Sequence, residues 1–205
     1  MENTVNEKFF DIKKEKQDRI INAALKVFAR NGYKHASTDD IVSEAGISKG
    51  LLFHYFISKL GLYEFLHDYS VRFMHLELST RVSKKGNDFF LLREQIEGAK
   101  LQVMKNYPYM QQFIDSIPYE NVKEALLATE EKKYVLKETI EGILAQADLS
   151  RFREEADPAM ISLSIDYTIQ GMMKKSFLED SFHPDMMAEE INGYLHMVRN
   201  LSYHP

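Results

Sequence analysis

Apolar residues recur at three- and four-residue spacing along nearly the whole chain, and the interruptions fall at glycine, proline or hydroxyl residues. The pattern predicts an all-α fold. Ile20, Ile21, Ala24, Leu25 and Phe28 form the first stripe, which becomes helical near Glu15 and runs out at Asn31-Gly32, where Gly32 suits a left-handed helix end. Ser37-Thr38-Asp39-Asp40 then offers hydroxyl caps followed by acids at the positive end of a second helix, which Ile41, Val42 and Ala45 carry on to Gly46. Ser48 caps a third helix at once. Gly46-Ile47 is therefore the whole turn, too short for the two helices to lie antiparallel side by side, and this is the signature of a helix-turn-helix.

Ser58 caps a long fourth helix expected to run to about Val82 through Leu62, Phe65, Leu66, Tyr69, Phe73, Leu76 and Leu78. After the turn-like Lys84-Lys85-Gly86-Asn87-Asp88, periodicity resumes at Phe89 and continues to Val103. Pro108 and Pro118 each interrupt it. A long charged helix is expected from Tyr119 to about Ala147, with Glu130, Glu131, Lys132 and Lys133 on a solvated face. Another starts at Asp157-Pro158, and a last one runs from Pro184 to near Leu201. The expectation is about nine helices without repeats or low-complexity segments. They divide into a flexible arm (1–15), a three-helix domain that holds the helix-turn-helix (16–60) and a helical body (61–205).

Composition narrows the chemistry. The 205 residues contain no cysteine, which removes disulfides, thiolate metal sites and cysteine nucleophiles together. No apolar run approaches the roughly 20 residues that cross a bilayer, and the first residues lack a signal-peptide pattern, so the expected location is the cytoplasm. The net charge of −5 argues against a nucleic-acid partner until its distribution is considered. Residues 1–60 hold ten Lys and Arg against eight Asp and Glu, whereas the remainder holds sixteen against twenty-three. A DNA-tolerant head on an acidic body fits this asymmetry.

In a helix-turn-helix the second helix enters the major groove. Here that helix is Ser48-Lys49-Gly50-Leu51-Leu52-Phe53-His54-Tyr55. Lys49 lies at a positive helix start, where phosphate or a guanine edge is attracted, and Gly50 allows close approach of the backbone. Leu52 and Phe56 read as inward anchors. Leu51, Phe53, His54 and Tyr55 include side chains able to reach groove or backbone, and Lys59 brings a further charge to the next helix start. Lys13, Lys14 and Lys16 form either an arm for an adjacent minor groove or a solvated charge cluster.

The stretch Ile20 to Leu66 resembles the N-terminal domain of TetR-family repressors. The blocks that carry the likeness are Ala23-Ala24-Leu25-Lys26-Val27-Phe28, Asn31-Gly32-Tyr33, Ser37-Thr38-Asp39-Asp40-Ile41, Ala45-Gly46-Ile47-Ser48-Lys49-Gly50 and Tyr55-Phe56-Ile57-Ser58-Lys59. The resemblance implies that Thr38, Lys49, Gly50, His54, Tyr55 and Lys59 occupy positions that commonly face DNA. With Ser48 and Phe53 they make up the expected DNA-binding set. Two positions depart from the pattern: Phe53 replaces the usual tyrosine, and Leu60 replaces the usual acid after Ser-Lys.

The resemblance also implies an inducer site among the middle helices and dimerisation through the last two long ones. Tyr107, Met110, Phe113, Ile117, Tyr134, Asp166, Tyr167 and Gln170 are the candidate ligand residues; the aromatic and Met members make adaptable apolar walls, or else ordinary core. Asp166 and Gln170 alternatively cross a dimer seam or lie on plain surface. Ile161, Ile165, Thr168, Ile169 and Met172, with Ile191, Tyr194, Leu195, Val198 and Leu201, are read as dimer stripes, or as packing within one subunit. The function expected is a ligand-responsive repressor that binds a pseudo-palindromic operator as a homodimer, is released by a small, largely apolar effector, and has no cofactor or catalytic residue. Two alternatives stand beside it. One is a helical-bundle metal enzyme, for which Glu64-Phe65-Leu66-His67 supplies a single Glu-x-x-His pair; the other is a protein-interaction module with a merely structural helix-turn-helix.

Overall fold

The computed structural model describes residues 7–82 and 86–204, and the expected turn residues Lys84 and Lys85 lie outside it. The elements in chain order are α1 (Glu7–Phe10), α2 (Lys14–His35), α3 (Thr38–Ala45), α4 (Lys49–Phe56), α5 (Lys59–Arg81), α6 (Phe89–Met104), α7 (Met110–Ser116), α8 (Lys123–Thr129), α9 (Val135–Leu144), α10 (Pro158–Leu178) and α11 (Pro184–Ser202). Two 3₁₀ turns, Ile117–Tyr119 and Glu130–Lys132, flank α8. Among the described residues β structure is confined to two isolated bridges, so the fold is all-α.

The chain forms two compact units that interleave in sequence, the first from residues up to His75 with Val103–Leu136, the second from Leu76–Gln102 with Lys137 onward. In the first unit α2 packs on both α3 and α7. Phe28, Tyr63 and Phe113 meet at its centre, with ring centroids 5.1 Å apart for Phe28–Tyr63 and 5.4 Å for Tyr63–Phe113. Gly32 takes φ 65° and breaks α2 where the sequence placed its end.

Where a frayed arm was expected, Glu7–Phe10 form a helical turn, and Phe9 is fully buried against Tyr55, Phe56 and Phe65 at 5.0 to 5.6 Å. Burying one phenylalanine contributes about 2–3 kcal/mol, enough to hold a short polar segment down. The rest of the arm expectation, residues 1–6, lies outside the described residues.

The single helix expected from Tyr119 to Ala147 is instead α8, a 3₁₀ turn and α9. Glu120 is the cause at the first break. Its carboxylate accepts the backbone N–H groups of Asn121, Val122 and Tyr33 at 2.8–3.0 Å, which draws residues 120–122 out of helical geometry. At the second break Lys132 turns to pair with Asp68 at 2.6 Å, so it is not on a solvated face.

In the second unit α10 packs on α11. Phe89, Phe90, Phe152 and Tyr203 form an aromatic cluster at 5.0–5.9 Å. Arg93, almost fully buried, pairs with Asp166 at 2.7 Å and donates to the hydroxyl and carbonyl of Ser162, holding α6 to α10. Asp157 caps α10 by accepting from the N–H groups of Ala159 and Met160, with proline in the first turn as the sequence implied.

Candidate nucleic-acid interface

The α3–α4 pair is built from local rules. Ser37 Oγ accepts the N–H groups of Asp39 and Asp40 at 3.1 and 3.5 Å. Gly46 sits at φ 64°, ψ 42°, where only glycine pays no steric cost, and Ile47 N–H closes the turn on the Val42 carbonyl at 3.0 Å. Ser48 Oγ accepts Leu51 N–H at 3.2 Å and starts α4. Ile41, Ala45, Leu52 and Phe56 are buried, so the start and opposite face of α4 are left open.

On that open side Ser48, Lys49, Gly50 and His54 are exposed, Thr38 and Phe53 are half-buried, and nothing stands within 4 Å of where a Cβ on Gly50 would be. Lys49 pairs with Asp39 at 2.9 Å, both groups in solvent. An exposed pair of this kind is worth little and exchanges readily for a phosphate.

Two expected contacts are placed elsewhere. Tyr55 is 6% exposed, its ring packed on Phe9, His54 and Phe56, so it belongs to the core of the head and not to its groove face. α4 has too few turns for periodicity to separate Tyr55 from His54, and the aromatic partner that claims it comes from α1. Lys59 turns inward as well: its ammonium donates to the Ala36 carbonyl at 2.9 Å and lies 4.5 Å from the Tyr33 ring centroid, closing the end of α2. Lys14, read as part of an arm, pairs with Asp18 at 2.8 Å and donates to the Tyr107 hydroxyl at 2.8 Å. Burial works against its charge, yet the carboxylate and the Tyr69 hydroxyl leave its pKa above the ordinary value.

A residue missed by sequence reasoning ends α4. Ile57 has φ 62°, ψ −48°, and Ser58 N–H donates to the Phe56 carbonyl at 2.6 Å, the geometry of a γ-turn that β-branched residues adopt only under strain of about 1–3 kcal/mol. Ile57 is 68% exposed. Gly61 accommodates the same turn, because a Cβ there would collide with the Phe56 carbonyl oxygen. Its position where a side chain is expected on a helix was the one signal available in the sequence.

The body residues divide. Tyr107, Met110, Phe113 and Ile117 are brought together in the first unit, but as core, each at most 2% exposed. The Tyr107 hydroxyl bonds Asp18 at 2.5 Å and Tyr69 at 2.8 Å; burial first, then these bonds, push its pKa far up. Tyr134 is half-exposed with Lys133 over its ring, and on α10 Tyr167 and Gln170 are exposed while Asp166 serves Arg93. His67, read in the sequence only as half of a Glu-x-x-His pair, and Ser70, which sequence reasoning overlooked, stand three apart on α5, and their Nδ1 and Oγ are buried without a hydrogen-bond partner. Burial, offset in part by the Asp68 carboxylate, lowers the His67 pKa to about 4. Glu64 is exposed while His67 is buried, so the Glu-x-x-His pair does not present two ligands to one point, and no cluster of three metal-ligating side chains occurs among the described residues.

The dimer stripes are also redistributed. Ile165, Ile169, Ile191 and Leu195 are buried within the chain. The apolar residues left open are Met160, Leu163, Tyr167 and Leu178 on α10, and Met186, Met197 and Leu201 on α11. Gly171 and Gly193 lie among them, with open space at each Cβ position.

Residues 20–66 match the family described as bacterial regulatory proteins, tetR family. The chain is 49% identical over 49 residues to the HTH-type transcriptional regulator YuxN of Bacillus subtilis (strain 168), covering 24% of this chain and 17% of that protein. It is 48% identical over 44 residues to the HTH-type transcriptional regulator UidR of Escherichia coli (strain K12), covering 22% of each. The chain thus spans about a fifth of the length of these curated relatives. Solved structures extend the likeness of fold. A TetR family transcriptional regulator from Chloroflexus aurantiacus J-10-FL aligns at TM-score 0.61 and 18% identity over 97% of this chain and 98% of that one. The ketosteroid transcriptional regulator KstR2 of Mycobacterium tuberculosis aligns at TM-score 0.68 and 15% identity over 95% and 98%.

Proposed function

We propose that this chain, whose residues 20–66 match the tetR family of bacterial regulatory proteins, represses transcription by binding a pseudo-palindromic operator as a homodimer in the cytoplasm, until a small, largely apolar effector releases it. The observation that carries the DNA reading is the start of α4. Ser48, Lys49 and Gly50 stand exposed two residues beyond a left-handed glycine turn, with inward anchors behind them. Thr38, Phe53 and His54 complete the proposed contact surface, while Tyr55 and Lys59 support it from within. No helix of the described residues is long and apolar enough to cross a membrane.

The open apolar stripes of α10 and α11, each with a central glycine that permits close helix approach, support a second copy as the partner. The effector is supported by the unpaired His67 and Ser70 atoms on one face of α5, which a ligand with a polar end and an apolar body would satisfy. KstR2, named for ketosteroids, shows that this fold is found in a regulator named for an apolar compound class. The test is a duplex selected by the protein from a random DNA pool. Tight binding that falls steeply with salt, and more weakly with salt for Lys49→Ala, is expected; failure to enrich any duplex at low salt would overturn the reading.

A further inference from the structure

Ile57 occupies a backbone conformation that strains any residue with a Cβ and that only glycine adopts freely, and it does so with a side chain 68% exposed. The fold therefore gains little from the isoleucine and is strained by it. Its N–H still donates to the Phe53 carbonyl at 2.9 Å, so the residue is anchored to the last turn of α4 and not left loose. Gly61 provides an independent sign that the link is built: the Phe56 carbonyl is drawn so close to the first turn of α5 that no Cβ fits there. Gly50, Phe53, His54 and Ile57 follow spacings of three, four and seven residues, and all of them are exposed or half-exposed, whereas Leu52, Tyr55 and Phe56 are buried. Ile57 thus prolongs the open side of α4 with a bare apolar group.

We propose that Ile57 is a sequence-reading residue that takes the 5-methyl group of a thymine at the edge of each half-site. The proposal rests on the DNA reading above. In the major groove a thymine methyl is the one base feature that an aliphatic side chain recognises by contact. Isoleucine in a pinned turn presents its methyl groups with little rotameric freedom to lose, since β-branched side chains are stiff at χ1. The turn that joins the two helices thereby holds this apolar group rigidly on the open side of α4. The same chemistry accounts for a phenylalanine four residues earlier, so that this edge reads methyl groups where a hydroxyl would bond phosphate.

The test uses the full chain and a duplex that it selects from a random pool, with each thymine replaced in turn by deoxyuridine, which removes only the methyl group. Wild type is expected to lose about fourfold in affinity at one or more thymines per half-site, the effect of one buried methyl. Ile57→Gly and Ile57→Asn should bind the thymine duplex about fourfold more weakly and lose the discrimination at one of those positions, with the thermal midpoint of Ile57→Gly at or above wild type. Ile57→Val should keep it. The proposal is overturned if wild type binds the thymine and deoxyuridine duplexes equally at every position, or if both Ile57 variants discriminate as wild type does. Selection of no duplex at all would instead bring down the DNA reading and this proposal with it.

Discussion

Charged side chains tie helices together in both compact units, but the units differ in how much apolar helix surface they leave open. The first ties α2 to later segments through charged and phenolic groups: Lys14 and Asp18 to Tyr69 and Tyr107, Tyr33 to Glu120 and Glu124, Lys59 to the end of α2, and Arg30 to Tyr109. The second leaves an apolar face in solvent along α10 and α11. A region closed on itself by directional bonds holds one geometry, which reading DNA at defined spacing requires. A face of exposed Met, Leu and Tyr is the kind of surface that marks an interaction site.

The largest expected effect breaks the second half of that contrast. Leu163→Glu with Tyr167→Glu should convert the proposed dimer to monomer in sedimentation and weaken binding to the selected duplex by about a thousandfold through lost avidity, with helicity retained. Binding at wild-type strength by the double variant would remove the dimer proposal.

The next effect bears on the first unit. His67 is buried and neutral, with its pKa lowered from 6.5 to about 4, so the unfolded chain takes up the proton first as pH falls. Stability should therefore be full above pH 6.5 and fall by about 3 kcal/mol toward pH 4. His67→Leu should flatten this part of the profile of thermal midpoint against pH; an equally steep profile would assign the acid sensitivity elsewhere.

Glu120→Ala probes the inward ties directly. Three backbone N–H groups lose their acceptor, among them that of Tyr33 in the head, and a loss of about 2 kcal/mol in denaturant unfolding is expected. Burial opposes ionisation of this carboxyl, but those bonds and the Lys59 charge prevail and hold its pKa below the ordinary range, so its contribution is present at neutral pH and lost in acid. The smallest effect is at the open face of the first unit. Lys49→Ala should weaken DNA binding about tenfold and reduce the salt slope by about one, with stability unchanged because its partner Asp39 is solvated. A drop in stability without a change in DNA affinity would make Lys49 a structural residue.

Much of the head was legible in sequence because its signals are local. Ser37, Gly46 and Ser48 act on backbone groups two to four residues away, and each does what its residue type implies. Tyr55 was misplaced because its burial depends on Phe9, more than forty residues earlier. Some of the candidate ligand residues show a related dependence. Met110, Phe113 and Ile117 carry the composition of an adaptable pocket wall, but in this fold they are buried as core, Phe113 against Phe28 and Tyr63.

The stripes of α10 and α11 show where the boundary lies. Periodicity alone established that these segments are helices with apolar faces, because 3.6-residue repetition is a property of the chain itself. Which apolar residues turn inward, and which stay open, depends on neighbours distant in sequence, and only tertiary packing chose Ile165 and Leu195 for the core and Tyr167 and Leu201 for the surface. The same division holds at the end of α4. The caps and the turn follow from residue type, whereas the strained conformation of Ile57 arises from the need to join two helices whose positions the rest of the fold has set.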